Sequence, residues 1–187
     1  KNRAFAVPAQ GVFFVDSEEG TKNVRERVRN LAGCKALHGF IGSQPVSMTV
    51  ENMRLMTELD YRVSWKADGT RYLCLIDGPD EVFMIDRRNN VFKVNNLRFF
   101  HRKDSTRHLT RTLVDGELVV DKVNGQDVYR YLIYDIICFE GNDVGEDLDF
   151  DRRLRCIFVE IVEPRHKAIS EGRILRQNEP FSVRLKD

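Results

Sequence analysis

The chain has 187 residues, 42% hydrophobic and 32% charged, a composition that suits one or two soluble globular domains. Its formal charge of +1 supplies no global basic field, so any phosphate binding must come from locally placed side chains. No apolar run approaches the ~20 residues of a membrane span, and KNRAFAVPAQ lacks the apolar core of a signal peptide. Cys34, Cys74, Cys138 and Cys156 are scattered and suggest neither a zinc site nor a disulfide framework. Cys34 and His38 have a metal-compatible spacing without a second pair, and a reducing compartment, cytosol or nucleus, is the expectation.

In chain order, SEEGTKNVRERVRNLAG predicts a helix with Val24, Val28 and Leu31 on one face and Gly33 at its end. GFIGSQPVSM reads as a loop, and TVENMRLMTEL as a short helix starting near Thr49. From Tyr61 the pattern changes to short aromatic or β-branched strands, YRVSWKA, TRYLCLID, EVFMIDR and NVFKV, bounded by turn signals. HRKDSTRHLTRTL predicts a helix opened by Asp104 or Ser105. Two longer strands, LVDGELVVDKV and YRYLIYDIICF, are joined by a turn at Asn124-Gly125. DFDRRLRCIFVEIVEP reads as an amphipathic helix that Asp149 or Asp151 starts and Pro164 closes, with Leu154, Ile157, Phe158 and Ile161 on one face. NEPFSVRLKD resembles one more strand. The fold class is α+β, with antiparallel sheets.

Three places put polar chemistry into apolar strands. Lys66 stands between a strand-like run and the Asp68-Gly69 turn. A free lysine has a pKa near 10.4, so roughly 0.04% is nucleophilic at pH 7, and neighbouring cations and desolvation favour the neutral amine. Arg71 and Arg87 are candidate cations and candidate phosphate or ribose ligands; the alternative is an ordinary strand-end lysine before a turn. In LVDGELVV, Asp115, Gly116 and Glu117 interrupt an apolar strand, where charges need a partner or a ligand. Glu117 suits a ribose hydroxyl or a divalent cation; a hairpin edge or bulge is the alternative. In RYLIYDII, Tyr134 beside Asp135 is either a core tyrosine or a ring that stacks on a nucleobase.

In this order, KADG with Arg71, then DGE, then YDII resembles the covalent nucleotidyltransferases, which comprise capping guanylyltransferases and polynucleotide ligases. The blocks GSQPVSM, VSWKADGTRY, EVFMIDR, LVDGELVVD, RYLIYDII and EPFSVR narrow this to the guanylyltransferase domain of animal mRNA capping enzymes, from about Gly39 to Asp187. That resemblance implies a nucleotide-binding cleft between antiparallel sheets with flanking helices. It implies that Lys66 attacks the α-phosphate of GTP, releases pyrophosphate, and passes GMP to the 5′-diphosphate end of nascent RNA, with Mg²⁺ or Mn²⁺ offsetting phosphate charge. It also implies that Asp68, Gly69, Arg71, Arg87, Asp115, Gly116 and Glu117 shape the ribose and phosphate region and that Tyr134 stacks on the base. Lys186 resembles a lysine that reads guanine. Partners implied are GTP, the RNA end and the phosphorylated C-terminal domain of RNA polymerase II, in the nucleus and with no membrane. RFFHRKDSTRHLTR is a candidate contact for RNA or that phosphorylated tail, the alternative being a solvated helix face.

The expected division is a helical amino-terminal or interdomain segment at 1–38 and a nucleotidyltransferase domain at 39–187. The family's later acid-Gly and lysine-rich motifs and its OB-fold lid are missing, as is a His-Cys triphosphatase signature, so the domain is expected to be incomplete. An ATP-dependent ligase domain and a non-catalytic module that binds RNA or polymerase are the rival readings.

Overall fold

A computed structural model describes residues 3–33 and 39–186. Cys34, His38 and Asp187 lie outside the described residues. The elements are β1 (Val12–Phe14), α1 (Glu18–Leu31), the one-turn helices α2 (Val50–Met53) and α3 (Leu55–Glu58), β2 (Gly69–Ile76), β3 (Val82–Asp86), β4 (Val91–Val94), β5 (Thr112–Val123) and β6 (Gln126–Cys138). They continue with α4 (Val144–Asp147), α5 (Phe150–Ile157), a π-helical turn (Phe158–Val162), α6 (Glu163–Ser170), a 3-10 turn (Arg176–Asn178) and β7 (Ser182–Leu185). The strands form one seven-stranded sheet in the order β1-β4-β3-β2-β5-β6-β7. Every pairing is antiparallel except β6 with β7. Mixed α+β architecture therefore holds, with one sheet rather than several among the described residues.

The two faces of the sheet bury separate cores. On one face, Val24 and Val28 of α1 pack against Leu73, Leu75, Phe83, Ile85 and Leu113. Burying each valine contributes roughly 1.5–3 kcal/mol. Ser17 caps α1 by accepting from the Gly20 amide at 3.1 Å, and Gly33 takes a positive φ of 62° just past the helix. On the other face, Ile157, Ile161 and Val162 cover Tyr72, Cys74, Met84, Phe92, Tyr131 and Ile133. β1 pairs with β4, so the amino-terminal stretch supplies an edge strand as well as a helix.

The β5–β6 hairpin turns at Asn124-Gly125, both with positive φ (51° and 80°), as two-residue hairpins require. Three expectations need correction. YRVSWKA is not a strand: 61–68 has no regular structure, and Tyr61, Val63 and Trp65 are all exposed, because among the described residues no strand pairs with it. HRKDSTRHLTRTL is not a helix. Asp104 accepts from the Thr106 amide at 3.0 Å and its hydroxyl at 2.6 Å, a turn that lets Phe100 bridge antiparallel to His108. Pro164 does not end the last long helix. The π turn precedes it, so Pro164 falls in the first turn of α6, where its missing N–H costs little, and the helix runs on to Ser170. Phe158 consequently points outward.

Candidate active site

The site forms at one end of the α1-side face, where β2, β5 and β6 lie side by side. Arg71 is opposite Glu117, and Asp115 is opposite Asp135. Between Asp115 and Gly116 the β5–β6 register shifts, leaving Tyr134 as an extra residue on β6. Gly116 is needed at this crossing, since a Cβ there would lie 2.5 Å from the Leu132 carbonyl and 2.8 Å from the Tyr131 ring.

Asp115 is only 3% exposed, and its carboxylate is fully occupied. Arg71 donates to it from Nε at 3.0 Å and from Nη2 at 2.5 Å, and the Tyr134 hydroxyl donates at 2.9 Å. The buried acid thus has a protein partner. Arg71 also donates from Nη1 to the Ser43 carbonyl at 2.7 Å and sits 4.9 Å above the Phe40 ring. Burial works against its charge, but the hydrogen bond and charge of Asp115 more than offset this and hold the guanidinium above its ordinary pKa. Burial, with the adjacent Asp115 charge, raises the Tyr134 phenol far above its usual value, so it stays a neutral donor.

A cleft of about 290 Å³ opens beside this cluster, lined by Ser43, Gln44, Pro45, Arg71, Arg87, Asp115, Glu117, Tyr134 and Asp135. Glu117 accepts from the Gly69 amide at 3.0 Å, which ties the turn after Lys66 to the cleft wall. Asp135 is held by Arg153 of α5, from Nε at 2.7 Å. Arg87 extends from the β3–β4 turn and is exposed.

Five expected site residues therefore meet in one cleft: Arg71, Arg87, Asp115, Glu117 and Tyr134, with Gly69 and Gly116 shaping its walls. Lys66, Asp68 and Lys186 do not line it. Lys66 is 89% exposed and pairs with Asp68 at 3.7 Å. Lys186 donates to the Ser64 hydroxyl at 2.8 Å and lies 5.3 Å over the Trp65 ring, so it contacts the stretch that carries Lys66.

The sequence reading assigned no role to Phe40, Gly42, Ser43 or Asp135. Gly42 lies in the same loop, where a Cβ would fall 2.5 Å from Arg71 Nη2. A larger groove of about 620 Å³ runs between α2–α3 and 61–64, but its walls are mainly Val46, Met48, Leu55, Met56, Tyr61 and Val63. Its one cation, Arg62, is paired with Asp151 at 2.6 Å, so it offers little to a phosphate. Among the described residues no three His, Cys, Asp or Glu side chains gather to hold a metal, and no helix is long and apolar enough to cross a membrane.

An α+β domain whose sheet end gathers two forked cations, a phenol and three acids in a small cleft has the equipment to bind a phosphorylated, ring-bearing ligand. The chain belongs to the family described as mRNA capping enzyme, catalytic domain, which it matches over residues 8–187. It is 58% identical to an mRNA-capping enzyme of Danio rerio over 148 residues, covering 79% of this chain and 25% of that protein. It is 52% identical to the mRNA-capping enzyme of Mus musculus over 180 residues, 96% of this chain and 30% of that protein. With the Caenorhabditis elegans mRNA-capping enzyme the identity is 41% over 179 residues, 92% and 28% of the two chains. The chain thus spans 25–30% of the length of these relatives.

Proposed function

We propose that this chain carries the nucleotidyl-transfer site of a guanylyltransferase that builds the 5′ cap of mRNA. The observation that carries this reading is the meeting of Arg71, Arg87, Asp115, Glu117 and Tyr134, drawn from four strands and turns, in one cleft. In the first step the neutral Lys66 amine attacks the α-phosphorus of GTP. An N–P bond forms, the bond from that phosphorus to the β-phosphate oxygen breaks, pyrophosphate leaves and the amine loses a proton. In the second, a terminal phosphate oxygen of 5′-diphosphate RNA attacks the same phosphorus. The new P–O bond replaces the N–P bond, and the lysine recovers its proton.

The geometry divides the labour. Arg71, fixed on Asp115, and Arg87 from the β3–β4 turn bind phosphate and ribose oxygens; the Tyr134 ring stacks on guanine. Glu117 orients the Gly69 turn and accepts from the ribose. Because Lys66 lies outside the cleft, reaction requires the exposed stretch before Gly69 to close over the nucleotide. Lys186 is tied to that stretch through Ser64, so a guanine that engages it draws on the same closure. Glu117, together with the nucleotide's own phosphate oxygens, would hold a Mg²⁺ or Mn²⁺, which would offset phosphate charge.

The RNA end, the phosphorylated C-terminal domain of RNA polymerase II and a nuclear location complete the proposal. For the polymerase tail, 98–111 offers fewer free cations than its composition promises. Arg102 is paired with Glu160 at 3.0 Å and Arg107 with Glu140 at 2.8 Å.

Incubation of the intact protein with α-phosphate-labelled GTP and Mg²⁺ tests the reading. Label should survive denaturation with GTP and not with ATP, and should vanish in Lys66→Ala and in Lys66→Arg, whose guanidinium is not nucleophilic near neutral pH. An adduct that persists in Lys66→Ala removes the assignment, and labelling by ATP moves it to a ligase.

A further inference from the structure

Strand β3 ends at Asp86 opposite Tyr72, whereas β2 extends back to Gly69. Over Gly69–Arg71, β2 therefore has β5 on one side and, among the described residues, no strand on the other. A second groove, of about 280 Å³, lies at this uncovered edge, bounded by Ala4, Ala6, Thr70, Asp86 and Arg88. Arg71 and Arg87 line both this groove and the cleft described above. The two depressions are thus neighbours.

Their charges differ in availability. Arg71 is matched by Asp115. Arg87 and Arg88 are exposed, and among the described residues no hydrogen bond or ion pair engages either guanidinium. The acid beside them, Asp86, is already committed within its own turn. It accepts from the Arg88 amide at 2.8 Å, the Asn90 amide at 2.9 Å and the Asn90 side chain at 2.8 Å. Asn89 has a positive φ of 60°, and Arg25 of α1 donates to its carbonyl at 2.9 Å. The backbone that presents the two arginines is therefore fixed from both sides, and an anion binding there has little backbone left to order.

We propose that this second groove receives the 5′-terminal phosphates of the acceptor RNA, with Arg88 as the acceptor-positioning contact and Arg87 shared between acceptor and donor. The inference rests on the guanylyltransferase reading and deepens it. Transfer needs two polyanions close together, because an oxygen of the acceptor's terminal phosphate must approach the phosphorus of the bound nucleotide. Arg87, which lines both depressions, and Arg88, which lines the second, offer forked guanidiniums that hold both sets of oxygens and screen one from the other. The small side chains of Ala4 and Ala6 keep the far wall open to the RNA backbone. The donor's own β- and γ-phosphates are the other source of the same chemistry, and the experiment separates the two.

The test uses the intact protein with Arg88→Ala, Arg88→Glu and Arg88→Lys, all at an exposed position where folding is expected to survive, checked by thermal melts. Arg88→Ala should raise the KM for 5′-diphosphate RNA about tenfold while the KM for GTP moves less than about twofold, with a larger effect for Glu and partial rescue by Lys. Independently of turnover, fluorescence anisotropy should show a 5′-diphosphate oligoribonucleotide binding tighter than its 5′-hydroxyl counterpart, a preference that shrinks in Arg88→Ala. Parallel losses in GTP KM or in adduct formation would overturn the proposal by assigning the groove to the donor. Unchanged RNA KM and an unchanged 5′-phosphate preference would overturn it outright. Failure of the wild-type protein to form any GMP adduct defeats the underlying reading instead, and the anisotropy measurement still decides the groove.

Discussion

Two buried arginine–carboxylate pairs sit on opposite faces of the same sheet, and they behave differently. Arg165 and Glu179 lie 2.5 Å apart with both side chains 2% exposed, sealed under α6 and against the Phe99 ring at 4.9 Å. Arg71 and Asp115 are also 2.5 Å apart, but at 10% and 4% exposure, beside an open cleft. Burial depresses the Arg165 pKa in spite of Glu179, whereas Asp115 carries that of Arg71 above its ordinary value. The sealed pair has no face left for a ligand; the cleft pair keeps one. Similar contact distances thus occur in different settings, and access to the cleft separates a sealed ion pair from one that a ligand can reach.

The largest expected effect is on the sealed pair. Glu179→Ala leaves Arg165 buried without its carboxylate and should cost about 3–5 kcal/mol in urea denaturation, whereas Arg165→Met with Glu179→Leu should recover most of it. A single-variant loss below about 1 kcal/mol would mean that water reaches the pair, and the contrast would collapse. Arg71→Ala also strands Asp115, but its distinguishing effect should be on chemistry, lowering adduct formation about a hundredfold, or ~2.7 kcal/mol, and Arg71→Lys should fare little better without the fork.

Alkaline titration probes the sealed face in another way. Burial raises the Tyr72 phenol from 10.0 to about 12, so the folded state keeps a proton that the unfolded chain releases. Its contribution is fully present below pH 10 and is lost as pH rises through 12. Stability should therefore fall across that window by up to about 2 kcal/mol from this group, and Tyr72→Phe should flatten the slope. The smallest effect is expected at Tyr134→Phe, which deletes the bond to Asp115 for about 1 kcal/mol of stability and keeps the ring. Adduct formation should remain within about threefold, while Tyr134→Ala should lose the ~1–3 kcal/mol of stacking.

Much of this was legible in the sequence where local and tertiary signals agree. Asn-Gly between two β-branched runs gave the β5–β6 hairpin, and the Val24–Val28–Leu31 spacing gave α1. Polar residues inside apolar strands, from Arg71 to Tyr134, marked the cleft. The misses share a cause. Tyr61, Val63 and Trp65 alternate as a strand should, yet alternation specifies a face and not a partner, and none is paired. The 101–113 stretch reads as helix by composition, but Asp104 offers its backbone a competing turn and Glu140 and Glu160 draw its arginines away. The contributions of Ser43 and Phe40 to the site arise from a loop folded onto Arg71, which no local pattern encodes.

The register shifts in the β5–β6 ladder have a consequence for how this hairpin tolerates change. There are two, at Asp115/Gly116 and at Leu113/Val114. The first sets consecutive residues, Tyr134 and Asp135, on the cleft. The second does the same for Ile137 and Cys138 in the α1-side core. Each inverts the in–out phase of β6, and together they cancel. Tyr131 and Ile133 before the shifts and Phe139 after them belong to one core, with only Ile136 out of step between. The strand thus behaves like a counter that is advanced twice and returns to zero. Losing the extra residue at either shift would restore plain alternation there and leave the remaining side chains on their faces, and at the first shift it would cost the cleft the phenol that anchors Asp115.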